Sequence, residues 1–291
     1  MREPEPLRVA FQGEPGAFSE EAAYRLLGDE IVTVPCPTFD ATFGAIVTGD
    51  ADALLVPVEN SLAGSVLRVY DLLLETELAI SAETILPVEL HLIGCPGATL
   101  ASIRSVESHP MALAQCERLF SERKLWARMA AEDTAGSVRR VLESQDRTRA
   151  AIAGPRAARL YGGAILMRDV QDSAGNFTRF VLLTDPREAP AEGNKLTLAV
   201  RLAHRPGALL AALEPFAARG LNLLKIESRP IHGCPWEYQF FLDVEAAPGQ
   251  RVDEALHELR QMAQFFRVLG CYRAARSPHE QAKAAAARRI Q

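Results

Sequence analysis

Four short polar segments hold the residues that could bind an anion. They are GEPGAFSEEA, PVENSLAGSV, ESHPMALAQC and EDTAGSVRRV, and each follows an apolar run and leads into a helical one. Each places serine, threonine or asparagine with glycine or proline where helix N-caps belong. Backbone N–H groups and the dipole at helix N-termini attract carboxylates and phosphates. If the strands are parallel, these segments meet at one sheet edge, which predicts a cleft for a small polyanionic ligand. Taken singly, each segment is ordinary helix capping.

A fifth segment, NFTRF, places a hydroxyl and a cation at the entrance to an apolar run. Thr178 and Arg179 point to opposite faces if the chain is extended there. Only one of them can therefore address a cleft. We expect Arg179 to hold the strand through an ion pair. For Thr178 two interpretations are open, a ligand contact or a strand residue bonded to a neighbour.

Alternatives are also open for the polar residues after the third predicted strand. Asn60 and Ser61 either cap the following helix or form an anion-binding nest with Gly64 and the serine after it. Glu59 would repel an anion, so it is interpreted as a structural hydrogen-bond acceptor.

The segment ESHPMALAQC allows similar alternatives. Ser108 is placed at a helix start, and His109 is interpreted as a capping or hydrogen-bonded residue rather than a catalytic one. Gln115 is either a surface residue or a ligand contact, because its small neighbours Ala114 and Cys116 would let a ligand come close.

Composition and motif content exclude several classes of protein. The net charge of -5 argues against a nucleic-acid-binding surface, and no apolar run approaches the roughly 18 residues of a membrane span. Five scattered cysteines without a C-x-x-C pair argue against disulfides or a zinc site and favour the cytoplasm. The six histidines are spread out, so no metal cluster is expected. No H-E-x-x-H, G-x-S-x-G, Walker A or G-x-G-x-x-G motif occurs.

The elements that position these residues alternate between strand and helix from residue 7 onward, which predicts an α/β fold. A polar segment, TDPREAPAEGNK, predicts a linker over residues 187–194, after an α/β domain of residues 7–186. The pattern then becomes βαββαβ over residues 195–275, a ferredoxin-like module. In this module VDEALHELRQMAQFF is predicted to be a helix, HGCPW a turn and RVLGCYR the last strand. A tail follows at 276–291.

Several of these segments together resemble the prephenate dehydratase family over nearly the whole chain. They are GEPGAFSEEAA, VPVENSLAGSV with YDLLLE, SHPMALAQC, AAIAGPRAARLYG and DSAGNFTRF. The C-terminal module, with RPGALL and ESRP, resembles the ACT regulatory domain of that family. The resemblance implies a catalytic part like a periplasmic binding protein, with the active site in the cleft between its subdomains. Because so few residues precede the first strand, we expect no fused chorismate mutase domain.

The resemblance implies that the chain converts prephenate to phenylpyruvate, with no cofactor and no metal. It implies L-phenylalanine as effector and a homo-oligomer, a dimer or tetramer. Thr178 matches the essential threonine of the family. The predicted substrate-binding residues are Ser19, Asn60, Ser61, Gly64, Ser108, Gln115, Thr134 and Phe180. Phe180 is typical of the family and could pack against the ring or simply in the core. Three alternatives stay open: an arogenate dehydratase, a non-catalytic sensor with the same cleft, and an interaction protein with an ACT domain.

The resemblance also implies a phenylalanine site in the C-terminal module, across a subunit interface. Its predicted residues are Pro206, Gly207, Ala208, Leu209, Leu210, Asn222, Glu227, Ser228, Arg229 and Pro230. A helix start at RPGALL suits the carboxylate of an amino acid. The competing interpretation is that Pro206 and Gly207 form a plain turn and Glu227 and Arg229 a surface ion pair.

Overall fold

A computed structural model describes residues 5–190, 192–231, 233–246 and 251–276. The predicted tail lies outside the described residues apart from Arg276. The described chain divides into two compact units. The N-terminal unit comprises residues 5–72 and 84–181 with Arg276. The C-terminal unit comprises residues 73–83 and 182–275.

The first lobe of the N-terminal unit is built on a six-stranded sheet. Its elements before the chain leaves it are β1 (Leu7–Gln12), α1 (Phe18–Leu27), β2 (Ile31–Cys36), α2 (Phe39–Val47), β3 (Ala53–Asn60), β4 (Gly64–Ser65), α3 (Leu67–Glu75) and β5 (Ala79–Pro87). The chain returns to this sheet much later as β11 (Phe177–Thr184), and the strand order is β2-β1-β3-β11-β5, with β4 paired to β3.

The second lobe is built on a five-stranded sheet of order β10-β6-β9-β7-β8. Its elements are β6 (His91–Gly94), β7 (Ser105–Ser108), α4 (Pro110–Ala114), α5 (Glu117–Glu122), β8 (Ala127–Ala130), α6 (Thr134–Ser144), β9 (Arg149–Ala153), α7 (Pro155–Tyr161) and β10 (Ala164–Met167). The α/β architecture predicted from the alternation is confirmed. The predicted cleft assumed that all strands are parallel, and this assumption is wrong. The pairs β1–β2, β1–β3, β7–β8 and β7–β9 are parallel, but β6 is antiparallel to both of its neighbours.

Turn-forming residues fix several helix ends. Gly28 ends α1 with φ 84°, a conformation that glycine adopts without steric cost. Pro155 begins α7, and Gly162 ends it in the left-handed conformation at φ 74°, as is common for proline and glycine at helix ends. The helix that begins at Pro110, α4, is short, because Gln115 is its C-cap and a new helix begins at Glu117.

The C-terminal unit contains a four-stranded antiparallel sheet of order β13-β14-β12-β15. Its elements are β12 (Lys195–Arg201), α8 (Ala208–Ala217), β13 (Leu223–Ile231), β14 (Cys234–Glu245), α9 (Val252–Met262) and β15 (Phe265–Tyr272). This is the predicted βαββαβ order. Leu198, Val200 and Leu242 from the strands pack with Phe216 of α8 and Leu259 of α9 in a buried cluster.

Two predicted boundaries in this unit are wrong. The last helix ends at Met262, and Phe265 and Phe266 lie in β15, because Gln264 N donates to Arg201 O and Phe265 pairs with Arg201. Sheet pairing therefore overrides the helical pattern of the local sequence. The strand after the predicted HGCPW turn begins at Cys234, inside that segment. None of the described helices is long and apolar enough to cross a membrane.

Candidate active site

A cavity of about 320 Å³ in the N-terminal unit receives side chains from both lobes. This volume lies at the lower end of the range of about 300–1,000 Å³ that small-molecule sites occupy. Six of the nine residues predicted for catalysis and substrate binding line it: Ser19, Asn60, Gln115, Thr134, Thr178 and Phe180. The cavity therefore brings together residues that are up to 161 positions apart in the sequence, from Ser19 to Phe180.

Thr178 is oriented by Asn60. The Asn60 side-chain amide Nδ2 donates to Thr178 Oγ1 at 2.9 Å, while Asn60 Oδ1 accepts from the backbone N–H groups of Leu62 and Ala63 at 3.0 and 2.8 Å. Because the Asn60 oxygen is held by these two donors, its amide nitrogen must face Thr178. The threonine oxygen then accepts, and its own proton remains available for a group in the cavity.

Asn176 extends this network, and the sequence analysis did not assign it a role. It is 2% exposed, its Oδ1 accepts from Asn60 Nδ2 at 2.8 Å, and its Nδ2 donates to Gln115 Oε1 at 2.9 Å. The Gln115 amide nitrogen is thereby left as a donor in the cavity wall. The sequence feature that could have identified Asn176 is its position two residues before Thr178, since residues i and i+2 of an extended chain share a face.

Arg179 lies on the other face of β11, as the alternation predicts. Its Nε is 3.7 Å from Glu59 Oε2, and its side chain is 12% exposed. Neither residue is among those lining the cavity. Both predictions, an ion pair for Arg179 and a structural role for Glu59, are confirmed.

Three predicted substrate-binding residues are not in the cavity wall. Ser108 is fully buried and its hydroxyl donates to Ile152 O at 2.6 Å, so this side chain is committed to joining β7 to β9. Ser61 donates to Gly175 O and accepts from Phe177 N, which fastens the entrance of β11. Gly64 lies in β4 and pairs with Asn60 of β3. Its φ of 82° is a conformation that favours glycine.

The helix N-caps near the cavity also differ from the predicted serine, threonine and asparagine. The N-cap of α1 is Ala17, which contributes no side-chain hydrogen bond. His109 caps α4 by accepting from Met111 N at 3.2 Å, as the capping interpretation predicted. Asp133 caps α6 by accepting from Gly136 N. The carboxylate of Asp133 therefore occupies the position at which an anion was expected.

The remaining cavity wall is apolar on several sides and acidic at one. Phe18, Val66, Leu90 and Met111 line it together with Phe180, which suits a hydrocarbon ring. Glu132 and Asp133 also line it, and among the described residues of the wall there is no lysine or arginine. Hydrogen bonds from groups other than lysine and arginine must therefore hold any carboxylate bound in this cavity.

Cys116 and one group of possible metal ligands lie outside the cavity wall. Burial raises the pKa of the Cys116 thiol to about 12, which keeps it protonated and unreactive. One group of possible metal ligands occurs among the described residues, Glu89, His91 and Asp169. His91 Nδ1 accepts from Asp169 N at 3.0 Å, so this lone pair is already used by the backbone.

In the C-terminal unit the structure separates the predicted effector residues. A cavity of about 130 Å³ is lined by Ala208 and Leu209, together with residues not predicted, such as His204 and Tyr238. Gly207 caps α8 at φ 80°, and Leu210 is 74% exposed. The other predicted residues, Pro206, Asn222, Glu227, Ser228, Arg229 and Pro230, do not line this cavity.

Asn222 and the ESRP segment lie outside this cavity, in other parts of the C-terminal unit. Asn222 O accepts from Glu245 N at 2.9 Å, and the ESRP residues lie in β13 at the end of the sheet. Glu227 Oε2 lies 3.7 Å from Lys225 Nζ. Glu227 therefore has an ion-pair partner in Lys225, a residue that the sequence analysis did not consider.

The fold and the cavity define a two-lobed α/β protein with a C-terminal regulatory-type module. A family profile described as prephenate dehydratase matches residues 9–188, and one described as ACT domain matches residues 196–261. The chain belongs to the prephenate dehydratase family, whose activity is that of a carbon–oxygen lyase.

Three similar proteins show the breadth of the relatives. Arogenate dehydratase 3, chloroplastic, from Arabidopsis thaliana is 41% identical over 284 residues, which is 91% of this chain and 67% of that protein. A crystal structure of prephenate dehydratase in complex with L-Phe from Arthrobacter aurescens is 31% identical, covers 98% of each chain and has a TM-score of 0.84. A structure described as GqqA, a novel type of quorum quenching acylase, is 37% identical, covers 94% of this chain and 99% of that one, and has the same TM-score of 0.84.

Proposed function

We propose that this chain catalyses the decarboxylative dehydration of prephenate to phenylpyruvate. In this reaction the ring carboxylate leaves as carbon dioxide, its bonding electrons complete the aromatic ring, and the ring hydroxyl departs as hydroxide and takes a proton from solvent to become water. Aromatisation supplies the driving force, so no strong base is required. The enzyme has mainly to stabilise the departing oxygen.

The orientation of the Thr178 hydroxyl is the observation that carries this proposal. Because Thr178 Oγ1 accepts from Asn60, its proton is available to the departing oxygen. Threonine is too weak an acid to transfer its proton fully. A hydrogen bond that strengthens as negative charge develops nevertheless lowers the barrier in a cleft that excludes water.

The rest of the cavity wall supports substrate positioning. The apolar residues, with Phe180 among them, would hold the ring, and Gln115, Ser19 and Thr134 would donate to the substrate carboxylates. We assign the side chains of Ser61 and Ser108 and the backbone of Gly64 to holding the wall in place, because their contacts are with backbone.

Arogenate is a second candidate substrate. It carries an ammonium group in place of the keto oxygen of prephenate, and Glu132 and Asp133 line a wall that has no lysine or arginine among its described residues. These carboxylates would attract the ammonium group of arogenate. They would repel prephenate, which carries two carboxylates and no cation. The similarity to a protein named arogenate dehydratase agrees with this candidate.

An amide-cleaving activity like that in the name of the acylase relative is disfavoured. A threonine nucleophile needs a base that accepts its proton. The group bonded to Thr178 Oγ1 is the donating amide of Asn60, which has the opposite effect.

We further propose that L-phenylalanine binds the ACT domain and lowers activity, and that the chain forms a homo-oligomer. An ACT domain and a related structure in complex with L-Phe support the effector. All five cysteines are free thiols, which supports the cytoplasm as the location.

An assay of purified protein on prephenate and on arogenate, each with and without L-phenylalanine, tests these proposals. We expect turnover of at least one substrate, and the ratio of the two kcat/KM values identifies the preferred one. Inhibition by L-phenylalanine is expected. Binding of both substrates without turnover would favour the sensor and contradict the proposed activity.

A further inference from the structure

The loop between β1 and α1, residues 13–17, belongs to the first lobe by chain order but packs into the second lobe. Ala17 packs against a buried cluster of the second lobe that includes Ala157 and Ala158. A Cβ on Gly16 would lie 3.0 Å from Ala157 Cα, so the two backbones are in close contact. Tyr161 Oη donates to Pro15 O at 2.8 Å. The loop is thus a bridge between the two lobes that form the cavity.

Glu20 is the charged residue at the centre of this bridge. It lies in the first turn of α1 and is 4% exposed. Its Oε2 accepts from Gly16 N and from Arg156 Nε, each at 2.7 Å, and its Oε1 accepts from Thr33 Oγ1 at 3.0 Å. A buried carboxylate is costly unless it is paired, and Arg156 supplies the cation.

Arg156 reaches α1 from the second lobe through two different contacts. It lies on α7, where its Nε donates to Glu20, and its guanidinium stacks over the ring of Tyr24 with 4.2 Å to the ring centre. Both partners lie on α1. A guanidinium can make a directed hydrogen bond and a planar stack at once, which a lysine ammonium cannot.

The first turn of α1 also forms part of the cavity wall. Phe18 and Ser19, the two residues before Glu20, line the cavity, whereas Arg156 does not. We propose that Arg156 is a positioning residue: through Glu20 it holds the first turn of α1 against the second lobe and so fixes Phe18 and Ser19 at the substrate. The kinetic part of this inference rests on the proposed function.

A second ion pair across the same junction is more exposed. Arg139 Nη2 lies 3.2 Å from Glu14 Oε1, with side chains 39% and 40% exposed. Exposed pairs contribute little because water and salt screen them. The contact of Arg156, which is 26% exposed, with the buried Glu20 is therefore the one expected to control the position of the turn.

The test replaces Arg156 and, as a control, a second arginine whose ion pair lies within one lobe. We expect Arg156→Met to raise KM about tenfold while kcat changes less than about threefold. The variant would displace the substrate contacts of Phe18 and Ser19 but leave the Thr178 hydroxyl in place. Arg156→Lys should restore part of the effect. Hydrogen exchange at the Gly16 amide should become faster in Arg156→Met. The control is Arg149→Met, since Arg149 Nη2 donates to buried Glu107 at 2.7 Å within the second lobe, and neither residue lines the cavity.

A double variant separates positioning from the cost of an unpaired charge. Glu20→Gln with Arg156→Met removes the buried charge, so Tm should recover while KM stays raised. The inference is overturned if KM recovers together with Tm, if Arg156→Met has the KM of Arg149→Met, or if Gly16 exchange does not change. Failure of the wild-type protein to turn over either substrate would instead contradict the proposed function, and the exchange comparison would still decide the positioning role.

Discussion

A single neutral hydroxyl is proposed to carry the chemistry because the substrate supplies the rest of the driving force. The arrangement of Asn60 and Asn176 matters more than the acidity of Thr178. Asn60 Oδ1 is fixed by two backbone donors, so its amide faces the threonine in only one way. The result is a hydrogen-bond donor oriented before the substrate arrives, which is the arrangement that stabilises developing negative charge most effectively.

Asn60→Asp tests the direction of this hydrogen bond. A carboxylate can still accept from Leu62 and Ala63 but cannot donate to Thr178, so the threonine proton would turn toward it. We expect kcat/KM to fall about 100- to 1,000-fold, the usual loss for one oriented donor. Asn194→Asp is the matched control, because Asn194 Oδ1 accepts from Ala274 N and an aspartate would keep this contact. Equal activity of both variants would contradict the assigned direction.

His91 predicts a dependence of stability on pH. Burial lowers the pKa of His91, although Asp169 and Glu89 raise it and Arg168 lowers it further. The folded protein therefore resists protonation, and stability that is complete above the unfolded pKa of about 6.5 is lost as pH falls below that value. His91→Asn should show a smaller drop in Tm between pH 7.5 and 5.5, since an amide oxygen can accept from Asp169 N without titrating. An equal drop would contradict this prediction.

The sequence predicts residue types better than it predicts residue partners. Strand alternation was enough to separate Thr178 from Arg179, because side chains on a strand alternate by geometry alone. It could not show that the Ser108 hydroxyl is used by Ile152, or that Asn176 joins Asn60 to Gln115, because these contacts link residues that are 44 to 116 positions apart.

At the scale of elements, the helix starts are where the sequence was least reliable. The motifs of small polar residues were recognised, and His109 caps α4 as one interpretation predicted, but the cap of α6 is Asp133 rather than a serine, threonine or asparagine. Histidine is an unusual cap, and an Asp-Thr pair offers two candidate caps in succession. The residue that caps a helix depends on where the preceding strand ends. Sheet pairing decides where that strand ends.

Gly16→Ala and Gly28→Ala form a matched pair that measures the contact between the β1–α1 loop and α7. Both glycines have positive φ, 90° and 84°. An alanine therefore strains the backbone at either position by about 1–3 kcal/mol. A Cβ at Gly28 meets nothing within 4 Å, whereas one at Gly16 meets Ala157 Cα at 3.0 Å. We expect a lower Tm for both variants and a raised KM for Gly16→Ala alone. A raised KM in Gly28→Ala as well would show that the effect comes from α1 as a whole.

At the scale of the whole molecule, the C-terminal unit is held by a buried polar network. Lys195 Nζ contacts both oxygens of Glu83, at 3.1 and 2.9 Å, and lies 3.7 Å from Asp243 Oδ2. Thr197 Oγ1 joins Asp243 Oδ1 to Tyr272 Oη, each at 2.7 Å. Glu83 is far from the other members in sequence, and no local pattern encodes its association with them.

Lys195→Met should destabilise the C-terminal unit strongly. It removes the ammonium group beside two buried carboxylates, Glu83 at 6% exposed and Asp243 at 2% exposed. Breaking such a buried pair costs about 3–5 kcal/mol. The double variant Lys195→Met with Glu83→Gln should recover much of this loss, because glutamine is neutral and can still accept from Ala275 N. Calorimetry on the full chain measures both. Single and double variants with equal Tm would mean that the charge is not the cause.

The alternation of strands and helices was predictable, but the neighbours of each strand were not. Alternating strands and helices followed by βαββαβ predicted the class of both parts, because hydrophobic periodicity is local. The return of β11 to the first sheet, between β3 and β5, places Thr178 opposite Asn60. This pairing depends on contacts across more than 100 residues, and only the family resemblance connected the two residues beforehand.

The central claim is that the Thr178 hydroxyl assists departure of the ring oxygen. It is tested most directly by kcat/KM of Thr178→Ala and Thr178→Ser on the preferred substrate, with circular dichroism and Tm as controls of folding. We expect the alanine variant to lose about 100- to 1,000-fold and the serine variant, which keeps the donor, less than about tenfold. An alanine variant that is folded and within about threefold of the wild-type value would contradict the account.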